Sequence, residues 1–293
     1  MRNRECGKSG TLNRVSSPRP AHEYVLGTHD AERDRLARQH ALWAGEVLHA
    51  WRNAGIGLGS RVLDLGCGPG VAVEALLDQV GPTGHVAGLE ISPEFAAQAH
   101  ARAAERGRPD ADIRTFDLMS GPLPADLHGA FDAVWCRWVA MFVRDPAMLA
   151  RAAADALCPG GSAVFHEYVD YRTYSLCPHG PRTAEFVERA MKSYAQHGGD
   201  ANVARRLPAL LAAAGLRVTS MRPIARAARP DEPLWHWPAG FVRTYAPRLV
   251  ALGLCDDAWL ESLLAELDSA ERGEPDGAFF VTPTVLEIVA ARP

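Results

Sequence analysis

Residues 62–70 read Val-Leu-Asp-Leu-Gly-Cys-Gly-Pro-Gly, and no other stretch constrains the fold of this chain as strongly. Residues 61–65 are a short apolar run with an acid near its end, which predicts a buried β-strand. Gly66, Gly68 and Gly70 follow at alternate positions and lead into a predicted helix at residues 71–80. Glycines allow a tight turn and a close approach to a ligand, and free amides at a helix N-terminus favour electron-rich groups. The stretch therefore predicts a strand, a turn and a helix with a ligand site at the turn.

Further strands with acids at their carboxyl ends are predicted after this helix. Residues 85–90 end in Glu90, and residues 111–117 end in Asp117. In doubly wound sheets, an acid at the end of the second strand accepts hydrogen bonds from ribose hydroxyls. Between these strands, Ser92 and Pro93 predict the N-cap and first position of a helix. Alternating strands and helices predict an α/β fold with a mostly parallel sheet.

The glycine spacing differs from the Gly-x-Gly-x-x-Gly of dinucleotide sites. It resembles motif I of class I S-adenosylmethionine (SAM)-dependent methyltransferases of the small-molecule type. The helix, Pro-Gly-Gly turn and strand at residues 145–169 resemble another feature of that family. The resemblance covers roughly residues 21–293. It implies a Rossmann-like α/β fold: a seven-stranded, mostly parallel sheet with its last strand antiparallel, helices on both faces and helical cap insertions.

The same resemblance implies SAM as cofactor and S-adenosylhomocysteine as product. Glu90 would bind the ribose, Ile91 would lie beside the adenine, and Asp117 and the Leu118 amide would read the adenine edge. Arg137 lies at the end of the fourth predicted strand, residues 131–138, close to where a cationic methyl donor would lie. It could pair with the cofactor carboxylate, with Asp132 or Glu167, or with a substrate anion. The predicted cofactor-binding residues are Tyr24, Asp64, Gly66, Cys67, Gly68, Gly70, Glu90, Ile91, Asp117, Leu118 and Arg137.

A helix is predicted near residues 30–48, before motif I, where members of this family have a helix packed over the cofactor. Tyr24 could hydrogen-bond the methionine carboxylate or serve as an anchoring aromatic residue. Arg35 and Gln39 could face the same cavity or lie in solvent. The sequence leaves both alternatives open.

The fifth strand, residues 162–169, contains the candidates for a general base. His166 has a pKa suited to taking a proton from a phenol, and Glu167 could do so or orient it. Because side chains alternate along a strand, we expect at most one of the two to enter the site. A structural role for His166 is the alternative. Methyl transfer from a sulfonium needs a base only for a poorly ionised nucleophile.

Two insertions, residues 170–215 and 229–277, are predicted to be helical caps that carry aromatic residues. Helices are predicted at residues 181–197, 201–214 and 256–267, and the last strand at residues 279–290, where Pro283 requires a bulge or an edge. Packing of the caps on the core is the alternative role for the aromatic residues. The predicted substrate-binding residues are Trp138, Tyr168, Tyr171, Phe186, Trp235 and Trp237.

Composition limits the partners. The chain has 293 residues, 47% of them hydrophobic, enough for a large core. Its net charge of −4 offers no general basic surface for nucleic acid, and no apolar run of about 18 residues predicts a membrane span. The six cysteines form no Cys-x-x-Cys pair, so we expect reduced thiols, no metal and a cytoplasmic protein. We expect a monomer or homodimer that acts on a small molecule.

We expect a disordered tail at residues 1–20 and one methyltransferase domain at residues 21–293. Its predicted parts are lid helices at 21–59, a core at 60–169, 216–228 and 278–293, and the two caps. The resemblance implies methyl transfer by in-line displacement to a small, partly apolar or aromatic acceptor, with O-methylation preferred. A SAM-binding cyclase or pericyclase of the same fold, without net methyl transfer, is the alternative.

Overall fold

The computed structural model describes residues 30–293, with side chains described from residue 33 onward. The predicted tail and Tyr24 lie outside these residues. The helices of the described range are α1 (Asp30–Asn53), α2 (Val71–Val80), α3 (Pro93–Glu105), α4 (Pro146–Ala156), α5 (Pro181–Gln196), α6 (Leu207–Ala213), α7 (His236–Ala251) and α8 (Asp257–Glu271). The strands are β1 (Arg61–Leu65), β2 (His85–Glu90), β3 (Asp112–Thr115), β4 (Phe131–Arg137), β5 (Leu157–Asp170), β6 (Ser175–Cys177), β7 (Arg217–Ile224), β8 (Ala227–Ala228), β9 (Phe279–Val281) and β10 (Thr284–Ala291).

Seven strands form one sheet in the order β3-β2-β1-β4-β5-β10-β7. Pairing is parallel from β3 to β5, and β10 is antiparallel to both of its neighbours. Residues of β1 and β4 are mostly buried, as expected of strands in a parallel sheet that is covered on both faces. The fold class predicted from the sequence is confirmed.

The strand order indicates where a ligand site would lie. It reverses at β1, whose two neighbours are β2 and β4. In open α/β sheets, ligands bind beyond the carboxyl ends of the strands at such a switch point. The register pairs Asp64 of β1 with both Gly88 of β2 and Trp135 of β4, so the acids and glycines of these strand ends come together.

Local sequence explains how the helices begin. Ser92 caps α3 by accepting a hydrogen bond from the Phe95 amide at 3.3 Å, and a proline occupies the first turn, as predicted. Asp145 caps α4 in the same way, through the Ala147 amide at 2.9 Å. These caps fix where each helix starts beyond the preceding strand.

Helix α1 packs against α2, α7 and β10. Its side chains Trp43, Val47 and Trp51 are buried, and so are its polar residues Gln39 and His40. The two insertions pack on each other through α5, α7 and α8. Strands β6, β9 and β8 form a separate three-stranded antiparallel sheet beside them.

Three predicted boundaries differ from the structure. The third strand is shorter than residues 111–117, so Asp117 lies in the following loop. The helix predicted at residues 201–214 is a short 3-10 turn followed by α6, because Pro208 fits only the first turn of a helix. The fifth strand begins at Leu157 and includes the Pro-Gly-Gly segment.

The predicted last strand at residues 279–290 is two strands. Pro283 separates β9 from β10, and β9 pairs in the small sheet while β10 enters the large one. Proline lacks the amide that a central strand must donate, which is why the chain changes sheets there.

No helix among residues 30–293 combines the length and the apolar character needed to cross a membrane. The five cysteines of this range are free thiols.

Candidate functional site

A cavity of about 1210 Å³ opens at the carboxyl ends of β1, β2 and β4. One half is formed by the glycine turn, the ends of β1 and β2 and the loop after β3. The other half is formed by side chains of α1, β5, α5 and α7 and by residues 141–148. Typical pockets for one drug-sized ligand have about 300–1,000 Å³, so this cavity has room for two molecules.

The three glycines of the turn have different roles. All three have positive φ angles, which favour glycine. A Cβ on Gly66 would lie 2.4 Å from Val139, and a Cβ on Gly70 would lie 2.5 Å from the Cα of Ala99 in α3. A Cβ on Gly68 would meet nothing within 4 Å. Gly66 and Gly68 line the cavity, whereas Gly70 does not. Gly70 therefore allows helix packing, and its predicted cofactor contact is corrected.

Glu90 is fixed at the end of β2 by backbone donors. Its two carboxylate oxygens accept hydrogen bonds from the amides of Gly68 and Ser92, each at 2.9 Å. The side chain is buried but lines the cavity, and burial raises its pKa in spite of these bonds. The bonds connect the glycine turn to the second strand and aim the carboxylate at the cavity wall.

Asp64 and Arg137 are oppositely charged side chains on neighbouring strands, and each has an unpartnered atom. Oδ2 of Asp64 and Nη1 of Arg137 are buried and have no hydrogen-bond partner. Burial raises the pKa of Asp64 to about 7, partly offset by Arg137, and lowers that of Arg137 to about 10. Both residues line the cavity. A buried unsatisfied polar group costs about 1–3 kcal/mol, so this pair is suited to a ligand with one cationic and one anionic group.

His40 of α1 holds Arg137 in place. Nη2 of Arg137 donates to Nδ1 of His40 at 2.8 Å. Burial, together with the nearby guanidinium, lowers the pKa of His40 to about 3, so the ring is neutral and its nitrogen can accept. The predicted alternatives, pairs of Arg137 with Asp132 or Glu167, are wrong. Asp132 pairs with Arg61 at 3.2 Å.

The remaining predicted cofactor residues Cys67, Ile91, Asp117 and Leu118 all line the cavity. Asp117 accepts a hydrogen bond from the Met119 amide at 2.8 Å, which orders the loop after β3. The Cys67 thiol is buried, and burial raises its pKa well above the usual range. It is therefore a packing residue of the cavity wall and not a thiolate.

This half of the cavity fits SAM, the cofactor implied by the resemblance. The unpartnered carboxylate and guanidinium of Asp64 and Arg137 complement an amino-acid zwitterion. Glu90 offers a carboxylate where the fold places a ribose, and the open space at Gly68 leaves the backbone accessible.

Residues 63–165 match a family model described as a methyltransferase domain. The chain is 29% identical over 242 residues to an uncharacterized 37.1 kDa protein from a transposon of Streptomyces fradiae, covering 79% of this chain and 62% of that protein. It is 32% identical over 160 residues to the ubiquinone biosynthesis O-methyltransferase of Xanthomonas axonopodis pv. citri, covering 55% of this chain and 64% of the relative. The chain thus spans less than two thirds of the length of either relative.

Among solved structures, the geranyl diphosphate C-methyltransferase of Streptomyces coelicolor has the same fold, with a TM-score of 0.54 and 18% identity over 94% of this chain and 86% of that one. Residues 63–165 are therefore a methyltransferase domain. SAM is the cofactor expected of such a domain, and these comparisons support it.

The two residues predicted as general bases, His166 and Glu167, lie outside the cavity. His166 is fully buried, and its Nε2 is 3.1 Å from Oε2 of Glu287 in β10. Burial lowers the pKa of His166 despite this partner, so the ring is neutral. The geometry gives His166 a structural role between the sheet strands and corrects the predicted catalytic one.

Glu167 is also fully buried. Its Oε1 accepts hydrogen bonds from the amides of Val139 and Ala140 at 2.6 and 2.7 Å. Burial raises its pKa to about 8, partly offset by these backbone donors. Glu167 therefore anchors the turn after β4, and its predicted catalytic role is corrected too.

Four predicted substrate-binding residues, Trp138, Tyr168, Tyr171 and Trp237, line the other half of the cavity. Trp138 stacks between Tyr168 and Trp237, with ring centroids 5.8 and 5.7 Å away. Its φ of 52° lies in the left-handed region, which is strained for a bulky residue. Such strain is typical of functional sites, and here it turns the indole into the cavity wall.

Phe186 and Trp235 do not line the cavity. Phe186 packs inside the cap against Tyr174 and Phe241. Trp235 packs on Phe280, and its indole nitrogen donates to Glu271 at 3.0 Å. The predicted substrate contact is therefore corrected for both residues, which instead have the alternative role, packing of the caps.

Several lining residues were not predicted as site residues. Arg35 and Gln39 of α1 do face the cavity, and the Arg35 Nη1 donates to Gln39 Oε1 at 2.6 Å. Their spacing of four places them on one helix face, a signal that the sequence offered. Others are positioned by tertiary packing: Phe142 and Arg144 in the segment after β4, Tyr194 and His197 at the end of α5, and Phe241 and Arg248 on α7.

Proposed function

We propose that this protein transfers the methyl group of SAM to an oxygen of a small, partly aromatic acceptor held between its two caps and the strand ends. The observation that carries the proposal is the two-part cavity of about 1210 Å³. One part has the groups that suit SAM, and the other has aromatic walls. A site of this size holds donor and acceptor together.

Bound SAM supplies an electrophilic methyl group on a sulfonium. The protein's own residues then have two tasks, to fix the two reactants in near-attack geometry and to exclude water. Trp138, Tyr168 and Trp237 form an apolar wall beside Arg137. Because the wall is built from stacked rings, it restricts the orientation of a flat acceptor.

The tyrosines of the cavity act as neutral hydrogen-bond donors in this proposal. Burial raises the pKa of Tyr168, Tyr171 and Tyr194 above the usual range, so none of them is a base at neutral pH. The Tyr171 and Tyr194 side chains also hydrogen-bond each other. Neutral hydroxyls stabilise an acceptor oxygen with negative charge, which favours O-methylation over methylation of a protonated amine. The relative named as an O-methyltransferase agrees with this preference.

Calorimetric titration with SAM and S-adenosylhomocysteine tests the cofactor half, with Glu90→Gln beside the wild type. Glu90→Gln removes the charge but keeps an acceptor for one backbone amide, so the fold is preserved. We expect saturable binding of both compounds and about tenfold weaker binding in the variant, or about 1.4 kcal/mol. Absence of binding to a folded wild type would contradict the proposal.

Mass spectrometry of reactions with phenolic acceptors tests the transfer itself. We expect a methylated acceptor and an equal amount of S-adenosylhomocysteine. Conversion of an acceptor with no methyl gain and intact SAM would instead identify an enzyme of the same fold that does not transfer methyl.

A further inference from the structure

Two arginines stand at one end of the acceptor half of the cavity. Arg144 follows β4 and lies against the backbone of Gly198, which comes just after α5. Arg248 lies on α7, where Phe241, Tyr245 and Arg248 have the spacing of one helix face. The Tyr245 ring stacks on Tyr194 of α5 at 5.6 Å. Both arginines therefore flank the end of α5 beside the cavity.

Neither guanidinium has a partner among the described residues. Nε of Arg248 is buried without any hydrogen bond, and no ion pair involves Arg144 or Arg248 within residues 33–293. A cation near a helix C-terminus is favourable in itself. Cations at such a position normally also donate hydrogen bonds to the last carbonyls of the helix. Here the Ser193 carbonyl is hydrogen-bonded to Nδ1 of His197 at 2.7 Å and not to an arginine. The helix end therefore leaves the arginines available to a ligand.

The surroundings of the two arginines contain few competing anions. Asp145 is the carboxylate closest in sequence, and it already caps α4 and contacts Arg151 at 3.4 Å. Further into this half, the Arg35 Cζ lies 5.9 Å from the centroid of the Phe241 ring. The acceptor half thus combines aromatic walls with arginine side chains.

We propose that the acceptor is an anion: an aromatic molecule whose carboxylate or phosphate group is bound by Arg248 and Arg144 while its ring lies along the tyrosine and tryptophan wall. This proposal rests on the proposed function, since it names the acceptor class of the same site. A guanidinium binds carboxylates and phosphates through paired, charge-assisted hydrogen bonds. Electrostatics agree, because a cationic methyl donor and arginine walls repel a protonated amine and attract an anion.

Matched neutral and anionic probes test the proposal. Benzoate, 2-naphthoate and anthraquinone-2-carboxylate are titrated calorimetrically into the protein with S-adenosylhomocysteine, each beside its carboxamide. 2-Naphthyl phosphate is titrated as a further arm to separate phosphate from carboxylate recognition. We expect at least one carboxylate or the phosphate to bind about tenfold or more tightly than the neutral amide of the same ring.

Three substitutions assign the preference to residues. Arg248→Gln and Arg144→Gln are expected to reduce the preference for the anion, Arg248→Gln by about tenfold because this side chain is half-buried and less screened. Arg243→Gln is the matched control on the same helix. Arg243 is ion-paired with Asp268 and Glu271 at 2.6 and 2.8 Å and does not line the cavity, so its loss leaves the preference unchanged.

The proposal is overturned if none of the anionic probes binds more tightly than its amide. It is also overturned if Arg248→Gln keeps the full preference while S-adenosylhomocysteine binds normally. Failure of S-adenosylhomocysteine to bind the wild type is a separate result, since it contradicts the proposed function whichever probe is preferred.

Discussion

Alanine substitutions at two glycines of the same turn should have different effects. Gly70 and Gly68 are two residues apart and both have positive φ, 84° and 56°. At Gly70, the added Cβ would lie 2.5 Å from Cα and 2.7 Å from Cβ of Ala99, so α3 must shift. At Gly68, the added Cβ meets no atom within 4 Å and stands at the cavity wall.

The magnitudes follow from these distances. The left-handed conformation costs an alanine about 1–2 kcal/mol at either site. Overpacking against a fixed helix adds about 1–3 kcal/mol at Gly70. Gly70→Ala should therefore lose about 2–5 kcal/mol of stability, which corresponds to a fall in Tm on the order of 10 °C. Gly68→Ala should lose only a few degrees, about what the backbone strain alone causes.

Binding of the cofactor should show the reverse order. Gly68→Ala places a methyl group where the backbone must approach SAM, so S-adenosylhomocysteine should bind about tenfold more weakly or worse. Gly70→Ala, measured well below its Tm, should bind it nearly as tightly as the wild type. Thermal unfolding and calorimetric titration measure the two quantities separately.

Gly107→Ala is the control for both variants. Gly107 has φ 72° and open space for a Cβ, and it lies after α3, outside the cavity lining. It reports backbone strain alone. The reasoning is refuted if Gly70→Ala is as stable as Gly107→Ala, or if Gly68→Ala binds S-adenosylhomocysteine as tightly as Gly107→Ala.

Three further predictions concern buried ionisable groups. Burial raises the folded-state pKa of Asp64 to about 7, so ionisation of this carboxyl favours the unfolded state as pH rises from about 4 to 7. A ligand cation beside Asp64 stabilises the ionised carboxylate instead. The affinity for S-adenosylhomocysteine should therefore rise between pH 6 and 8 in the wild type and stay flat in Asp64→Asn. His40→Ala leaves Nη2 of Arg137 without an acceptor and should weaken that affinity by about tenfold, whereas His40→Asn restores an acceptor and should recover most of it; equal titrations of the two variants would disprove the positioning role. Glu167, with a pKa raised to about 8, holds a proton in the folded state that the unfolded state releases above pH 4.5, so it makes stability fall with pH by up to about 1.4 kcal/mol per unit. Glu167→Gln should remove this contribution and leave a shallower slope of denaturant-measured stability between pH 5 and 8, with the contribution of Asp64 remaining. An unchanged slope would contradict the assignment.

The cofactor half could be predicted from the sequence because its groups are fixed by local structure. Strand ends and the turn after β1 carry Asp64, Gly68 and Glu90, and the parallel order of the sheet brings those ends together. Each position therefore follows from short-range pattern and fold. Gly70 is the exception, because contact with α3 is a tertiary fact that the glycine spacing does not show.

The acceptor half could be predicted only in part. Whether Phe186 faces the cavity depends on how α5 packs against its neighbours Tyr174 and Phe241, and the aromatic spacing along the sequence is compatible with either result. The alternation of side chains along a strand correctly predicts that His166 and Glu167 point to opposite faces of β5 and contact different partners. It does not show that β5 lies inside a sheet covered on both faces, where both side chains are buried.

The net charge of the whole chain also does not show that the acceptor half contains arginine side chains. The net charge of −4 suggests no affinity for anions, yet four arginines line the cavity, and three of the four lining carboxylates belong to its cofactor half. Arg144 is exposed, whereas Arg248 is half-buried. Screening acts mainly on exposed charges, with a Debye length of about 8 Å at 0.15 M salt. Raising the salt concentration from 0.05 to 0.5 M should therefore weaken 2-naphthoate binding a few-fold in the wild type and much less in Arg144→Gln. The affinity for zwitterionic S-adenosylhomocysteine should hardly change in either protein. An equal salt dependence of 2-naphthoate binding in both proteins would show that the exposed arginine takes no part in attracting the anion.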